Sequence, residues 1–134
     1  MKRNIISGGG AILFGLLIAL GPQFLFKMCG QHESGYSACH WAGLAELCMG
    51  ILIASVGICI VLISDIRIQL GLTTGLFLMA IVAGLIPYEI FFGVCDSDTM
   101  TCRKNALPAL TVVSGCLLIG VVYNLIYLEK KTRT

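Results

Sequence analysis

The sequence predicts an all-α integral membrane protein: four transmembrane helices in two parallel-repeat hairpins, both termini cytoplasmic, the outer loops stapled by disulfides. Three observations carry this. Only 12% of the 134 residues are charged and 57% are hydrophobic, with a mean hydropathy of +0.94. A soluble domain carries roughly 25% charged residues, so this chain has too few to coat a globule in water. Four stretches also reach the roughly 20 apolar residues that cross a bilayer. Finally, four of the seven cysteines fall in or at the ends of two loops that share one side.

The first span covers about 6–26. It follows the basic start Met1-Lys2-Arg3, which resembles a signal peptide, but the apolar run is long and no small-x-small cleavage site follows it. It reads as a retained helix. "KMCGQHESGYSACHW" separates it from the second span, about 42–64. "SDIRIQ" leads to the third, about 68–94, and "CDSDTMTCRKN" to the fourth, about 106–128. The four spans make one membrane domain over 1–134.

Orientation follows from Lys and Arg near the span ends. One side holds Lys2, Arg3, Arg67, Lys130, Lys131 and Arg133, and the other only Lys27, Arg103 and Lys104. The richer side marks the cytoplasm. Both cysteine-bearing loops then face out.

The two halves resemble each other. "FLFKMC" at 24–29 matches "IFFGVC" at 90–95, and "CHWAGLAEL" at 39–47 matches "CRKNALPAL" at 102–110 without a gap. Cys39 falls on Cys102, Leu47 on Leu110 and Gly57 on Gly120. Pro22 and Pro87 each precede a first cysteine by seven or eight residues. Both halves enter from the same side, which makes this a parallel repeat. Gly50-xxx-Ala54, Gly71-xxx-Gly75 and Ala80-xxx-Gly84 are small-xxx-small pairs that let helix backbones approach.

Cys29, Cys39, Cys95 and Cys102 are the disulfide candidates, on the oxidising side of the membrane. Four cysteines allow three connectivities. Pairing within each loop closes Cys29–Cys39 and Cys95–Cys102 over nine and six intervening residues, and contributes roughly 2–3 kcal/mol per bridge. A thiol–disulfide oxidoreductase is the enzymatic alternative. Four spans with two outer cysteine pairs share the architecture of membrane quinone-linked disulfide oxidases, but this chain has no Cys-x-x-Cys. Cys48, Cys59 and Cys116 lie within spans and read as small apolar packing residues.

Trp41, Tyr36, Tyr88 and Phe92 sit at the level of the outer aromatic belt. His40, with His32 and Glu46 nearby in sequence, is a candidate set for a metal, or for haem at His40. No pair among them has diagnostic spacing. Glu46, about one turn into the second span, and Glu89, near the outer end of the third, are costly there unless paired or hydrated. Each either snorkels to the interface or lines an outer polar mouth. Trp41, Glu89 and Arg103 form the candidate partner or ligand face. No acid lies mid-span, which argues against a proton-coupled multidrug pump. No basic stripe with interleaved aromatics points to nucleic acid.

Cys39-His40-Trp41, Glu46, Cys95, Cys102 and Leu107-Pro108-Ala109-Leu110 together resemble a family of small bacterial four-helix membrane proteins catalogued as domain of unknown function 4418. The likeness spans nearly the whole chain. In that family the second loop often reads Cys-His, whereas Arg103 follows Cys102 here; a pair of histidine ligands, one per half, is not available. The resemblance implies a companion of ABC transporters whose permeases carry extracytoplasmic domains, of the macrolide-exporter type. It brings no catalytic residues. The expectation is a non-enzymatic accessory subunit of the bacterial inner membrane, bound to a permease or to itself.

Overall fold

A computed structural model describes residues 2–25, 38–86, 88, 104–105 and 107–134, the side chains at 25 and 38–40 excepted. Four helices dominate it: α1 (Lys2–Leu20), α2 (Ala38–Leu62), α3 (Ile66–Leu85) and α4 (Leu107–Arg133). There is no strand among the described residues. Each helix is long and apolar enough to cross a membrane, so the chain is a multi-pass membrane protein. In lipid a spanning helix satisfies its own backbone, and four apolar helices need no other secondary structure.

Proline and polar residues set the helix ends. α1 gives way at Gly21–Leu25 to a π-turn around Pro22. Proline has no N–H and its ring clashes with the carbonyl four residues back, so the helix widens there. Between α2 and α3 the chain turns over 63–65. The Gln69 side-chain amide donates to the Ile63 carbonyl at 2.7 Å and ties the turn to α3. α3 stops at Leu85, two residues before Pro87, with the Ile86 N–H donating to the Val82 carbonyl. α4 carries Pro108 in its first turn, where a missing N–H costs nothing.

α1 starts earlier and α4 ends later than the predicted spans of about 6–26 and 106–128. Hydropathy reports only the hydrocarbon-embedded part, whereas Lys2, Arg3 and residues 129–133 continue the same helices toward water. The expected third span reached 94; residues 89–94 lie outside the described part.

Each helix packs against two neighbours in the cyclic order α1, α2, α3, α4, and α1 with α2 is the most intimate pair. The buried residues follow a spacing of three and four. They include Gly8, Ala11, Gly15 and Ile18 in α1, then Gly43, Glu46, Gly50, Ile53, Gly57 and Ile60 in α2, with Ala19 and Ala42 buried beside this stripe. α3 buries Gln69, Thr73, Leu76, Ala80 and Ala83, and α4 buries Leu110, Ser114, Leu117 and Val121. A seven-residue repeat of this kind is the packing rule of left-handed bundles.

Glycine makes the α1–α2 seam close. A Cβ on Gly50 would lie 2.5 Å from the Ala19 nitrogen and 2.5 Å from the Gly15 carbonyl oxygen. A Cβ on Gly15 would lie 2.7 Å from the Ala54 nitrogen. Gly8 and Gly57 repeat the contact one heptad inward, Gly8 against Val61 and the Gly57 backbone. The expected Gly50-xxx-Ala54 pair is therefore a helix contact. Gly71 and Gly75 instead have open space around them, and a Cβ on Gly84 would lie an ordinary 3.4 Å from the Ser114 Cβ.

Burial also departs from the register in which the two halves align. Gly57 is buried and its aligned partner Gly120 is exposed; Leu110 is buried and Leu47 only half-buried. The inward positions of α2 and α4 match one residue later, Glu46, Gly50, Ile53 and Gly57 with Leu110, Ser114, Leu117 and Val121. The heptad, not the cysteine alignment, decides which residues face inward.

Candidate functional site

The bundle interior holds polar groups at two levels with opposite character. Toward the end that carries the described start of α1 and the end of α4, Gln69 and Thr73 are buried on α3 and Asn124 is half-buried on α4. They are satisfied in sequence. The Gln69 amide donates to the Ile63 carbonyl, and the Thr73 hydroxyl donates to the Gln69 carbonyl at 2.7 Å. The Asn124 amide then donates to Thr73 Oγ1 at 3.3 Å, bridging α4 to α3. This chain answers the requirement that buried polar groups be paired.

At the opposite level the polar groups are unpaired. Glu46 is only 1% exposed, and neither of its carboxylate oxygens has a hydrogen-bond partner. The Ser114 hydroxyl is buried and unpartnered as well. Both residues lie about two turns from the start of their helices.

Local sequence explains how Glu46 came to face inward. It takes the heptad position between Gly43 and Gly50, on the face that packs against α1. One turn further along that face, Gly50 meets Ala19 of α1. The turn of α1 beyond Ala19 contains Pro22, which is fully buried and has no N–H to offer a carboxylate. The glycine seam draws the two helices together, with Glu46 on the inward face of α2.

Snorkelling is therefore excluded for Glu46, which lies about one turn into the apolar span that begins at Trp41. A long side chain reaches the interface only if it leaves the bundle, and the seam points this one inward.

The other expected site residues are distributed as follows. Trp41 is 55% exposed on the outside of α2, where a belt tryptophan belongs. Tyr88 is exposed and its hydroxyl lies 3.4 Å from Thr111 Oγ1. Cys39 and His40 fall in the first turn of α2, with side chains outside the described part. Cys29, Cys95, Cys102, His32, Glu89 and Arg103 lie outside the described residues, so the disulfide pairing and the His40, Glu46 and His32 metal set fall there too. Among the described residues no group of three or more His, Cys, Asp or Glu converges on a point. Cys48, Cys59 and Cys116 carry free thiols and are exposed, where packing residues were expected; Cys116 borders a hollow between the helices.

Two features escaped the sequence reading. Ser114 gave no signal, being one hydroxyl in an apolar helix. The Gln69–Thr73–Asn124 chain was visible only as scattered polar residues. The heptad spacing of Gly8, Gly15, Gly50 and Gly57 would have located the α1–α2 seam, and with it the inward direction of Glu46.

A family model described as domain of unknown function DUF4418 matches residues 11–128, and the chain belongs to that family. The match takes in the π-turn, both polar levels and all four helices. No curated protein matches the chain, and no solved structure does.

Proposed function

We propose that this DUF4418 member is a non-enzymatic accessory subunit of a bacterial inner-membrane assembly, with an ABC-type permease as its partner. The observation that carries the proposal is Glu46, buried in the bundle with both carboxylate oxygens unpartnered. A charged group in that position costs several kcal/mol or requires a partner. Within a chain whose other buried polar groups are mostly satisfied, an acid left without one is a place for another molecule's donor. A basic or amide side chain of a permease helix, entering between the helices near Ser114, would supply it. The nature of the partner rests on the resemblance to companions of ABC transporters.

The rest of the proposal follows the charge and cysteine pattern. The end with six Lys and Arg residues is cytoplasmic. The outer loops lie on the oxidising side and close as Cys29–Cys39 and Cys95–Cys102, in a chain that arose by duplication of one helical hairpin. Trp41, Glu89 and Arg103 are the proposed partner or ligand face.

The test is affinity purification of the tagged chain from its native membrane in mild detergent, with the mass of the complex and its components measured together. A stoichiometric ABC permease is expected. Recovery of a free monomer alone would defeat the proposal.

A further inference from the structure

At the opposite end of the bundle from Glu46, two hollows meet. The first is a largely apolar cavity of about 230 Å³ between α1, α3 and α4, with Ile60 of α2 also in its lining. Ile6 and Phe14 of α1, Leu76 of α3, and Cys116 and Leu117 of α4 form its walls. Gly10 and Gly120 open it: a Cβ on either would meet nothing within 4 Å. From Arg3 to Phe14 its α1 wall runs about 16 Å at the helical rise per residue. That is about the depth of one leaflet of a roughly 30 Å hydrocarbon core.

The second hollow is polar and continues from the first, sharing Arg3 and Asn124 with it. Asn4, Ser64, Gln69 and Lys131 are its other polar lining residues, and Ile66, Tyr127 and Leu128 its apolar ones. Among the described residues no carboxylate lines either hollow. Arg3 stacks over the Tyr127 ring, which holds its guanidinium at the junction. Glu129, the acid nearest in sequence to Lys131, already pairs with Arg133 at 3.3 Å on the exposed side of α4. Asp65 is exposed in the turn before α3.

We infer that this pair of hollows is a binding site for an anionic glycerophospholipid. One acyl chain lies in the apolar cavity, and the headgroup phosphate sits between Arg3 and Lys131. The charge pattern selects this occupant. A guanidinium fork and an ammonium without a facing carboxylate match a phosphate monoanion. An apolar slot of leaflet depth ending at that charge matches the attached chain, and basic pockets between membrane helices bind such headgroups. The site is independent of the Glu46 reading, because it lies at the other end of the bundle and shares no residue with it.

Cys116 provides the reporter, with Cys48 and Cys59 on α2 as internal references. The full chain in detergent micelles is treated with N-ethylmaleimide, and alkylation of each cysteine is followed by peptide mass spectrometry. Phosphatidylglycerol, phosphatidylcholine with the same chains, or inorganic phosphate is titrated in. Phosphatidylglycerol is expected to slow Cys116 alone. Two cations near the phosphate should let it do so at about a thirtyfold lower concentration than phosphatidylcholine. Phosphate alone should leave Cys116 unchanged. R3A/K131A should bring the two lipids to equal potency, and Gly120→Leu, which fills the cavity from an open position, should abolish protection by either. Equal potency of the two lipids on the native chain would overturn the proposal. So would selectivity that survives R3A/K131A, or full protection by phosphate alone.

Discussion

Replacing Gly50 by alanine tests whether the α1–α2 seam is set by backbone contact. The added Cβ would sit 2.5 Å from the Ala19 nitrogen, 2.5 Å from the Gly15 oxygen and 2.6 Å from the Ala19 Cβ. Carbon atoms pack comfortably at about 3.5–4.0 Å. Two of the three atoms are backbone and cannot rotate away, so the helices must part by about 1 Å. Overpacking of this kind costs about 1–3 kcal/mol, and the upper end applies because parting at Gly50 also loosens Gly15 against Ala54. Alanine returns roughly 0.5–1 kcal/mol as the better helix former. The net expectation is a loss of about 2 kcal/mol, or roughly thirtyfold in the unfolding constant. Gly120→Ala makes the same chemical change where a Cβ meets nothing, and should leave stability unchanged or raise it by up to about 1 kcal/mol. Gly71→Ala and Gly75→Ala should behave like Gly120→Ala. Unfolding in mixed micelles with increasing dodecyl sulfate, followed by circular dichroism, measures all four. Equal stability of Gly50→Ala and Gly120→Ala would refute the reasoning.

Other expectations use the two polar levels and the outer loops. Thr73→Val removes the acceptor for Asn124 and the donor to the Gln69 carbonyl; it should cost roughly 0.5–1.5 kcal/mol in the same assay, the range of hydrogen bonds between membrane helices. Ser114→Ala removes a buried hydroxyl that has no partner, and the bundle should become more stable by up to about 1 kcal/mol. Peptide mass mapping of unreduced protein from membranes should find Cys29 joined to Cys39 and Cys95 to Cys102, with Cys48, Cys59 and Cys116 as thiols; free outer cysteines would contradict the stapled-loop proposal.

The four helices were legible because a spanning helix announces itself by length and apolarity alone. Their inward faces were much less so. In a soluble helix the polar side marks the outside, but lipid is as apolar as a protein core, and a residue such as Ile53, fully buried, looks no different from Ile51, which is 55% exposed. Size carries the information instead: glycine recurs every seventh residue where α1 and α2 touch. Single small-xxx-small pairs are poorer guides, as Gly71 and Gly75 demonstrate. Glu46 was legible as an acid worth noticing, while its inward direction depends on the packing of Gly50 against α1, which is unremarkable in sequence. Ser114 and Thr73 are equally ordinary in the sequence; the packing of α4 on α3 brings Asn124 to Thr73, which already bonds within its own helix, and leaves Ser114 without a partner.

The central claim is that Glu46 is kept unpaired for another molecule rather than for the stability of this chain. Glu46→Leu decides it when two quantities are read from one variant. Leucine fits the apolar surroundings, as Leu110 does at the matching position of α4. The isolated bundle should gain about 1–3 kcal/mol, the desolvation penalty of an unsatisfied buried polar group. The same variant, purified from its native membrane, should lose its permease. A less stable bundle that still copurifies with a permease would contradict the account.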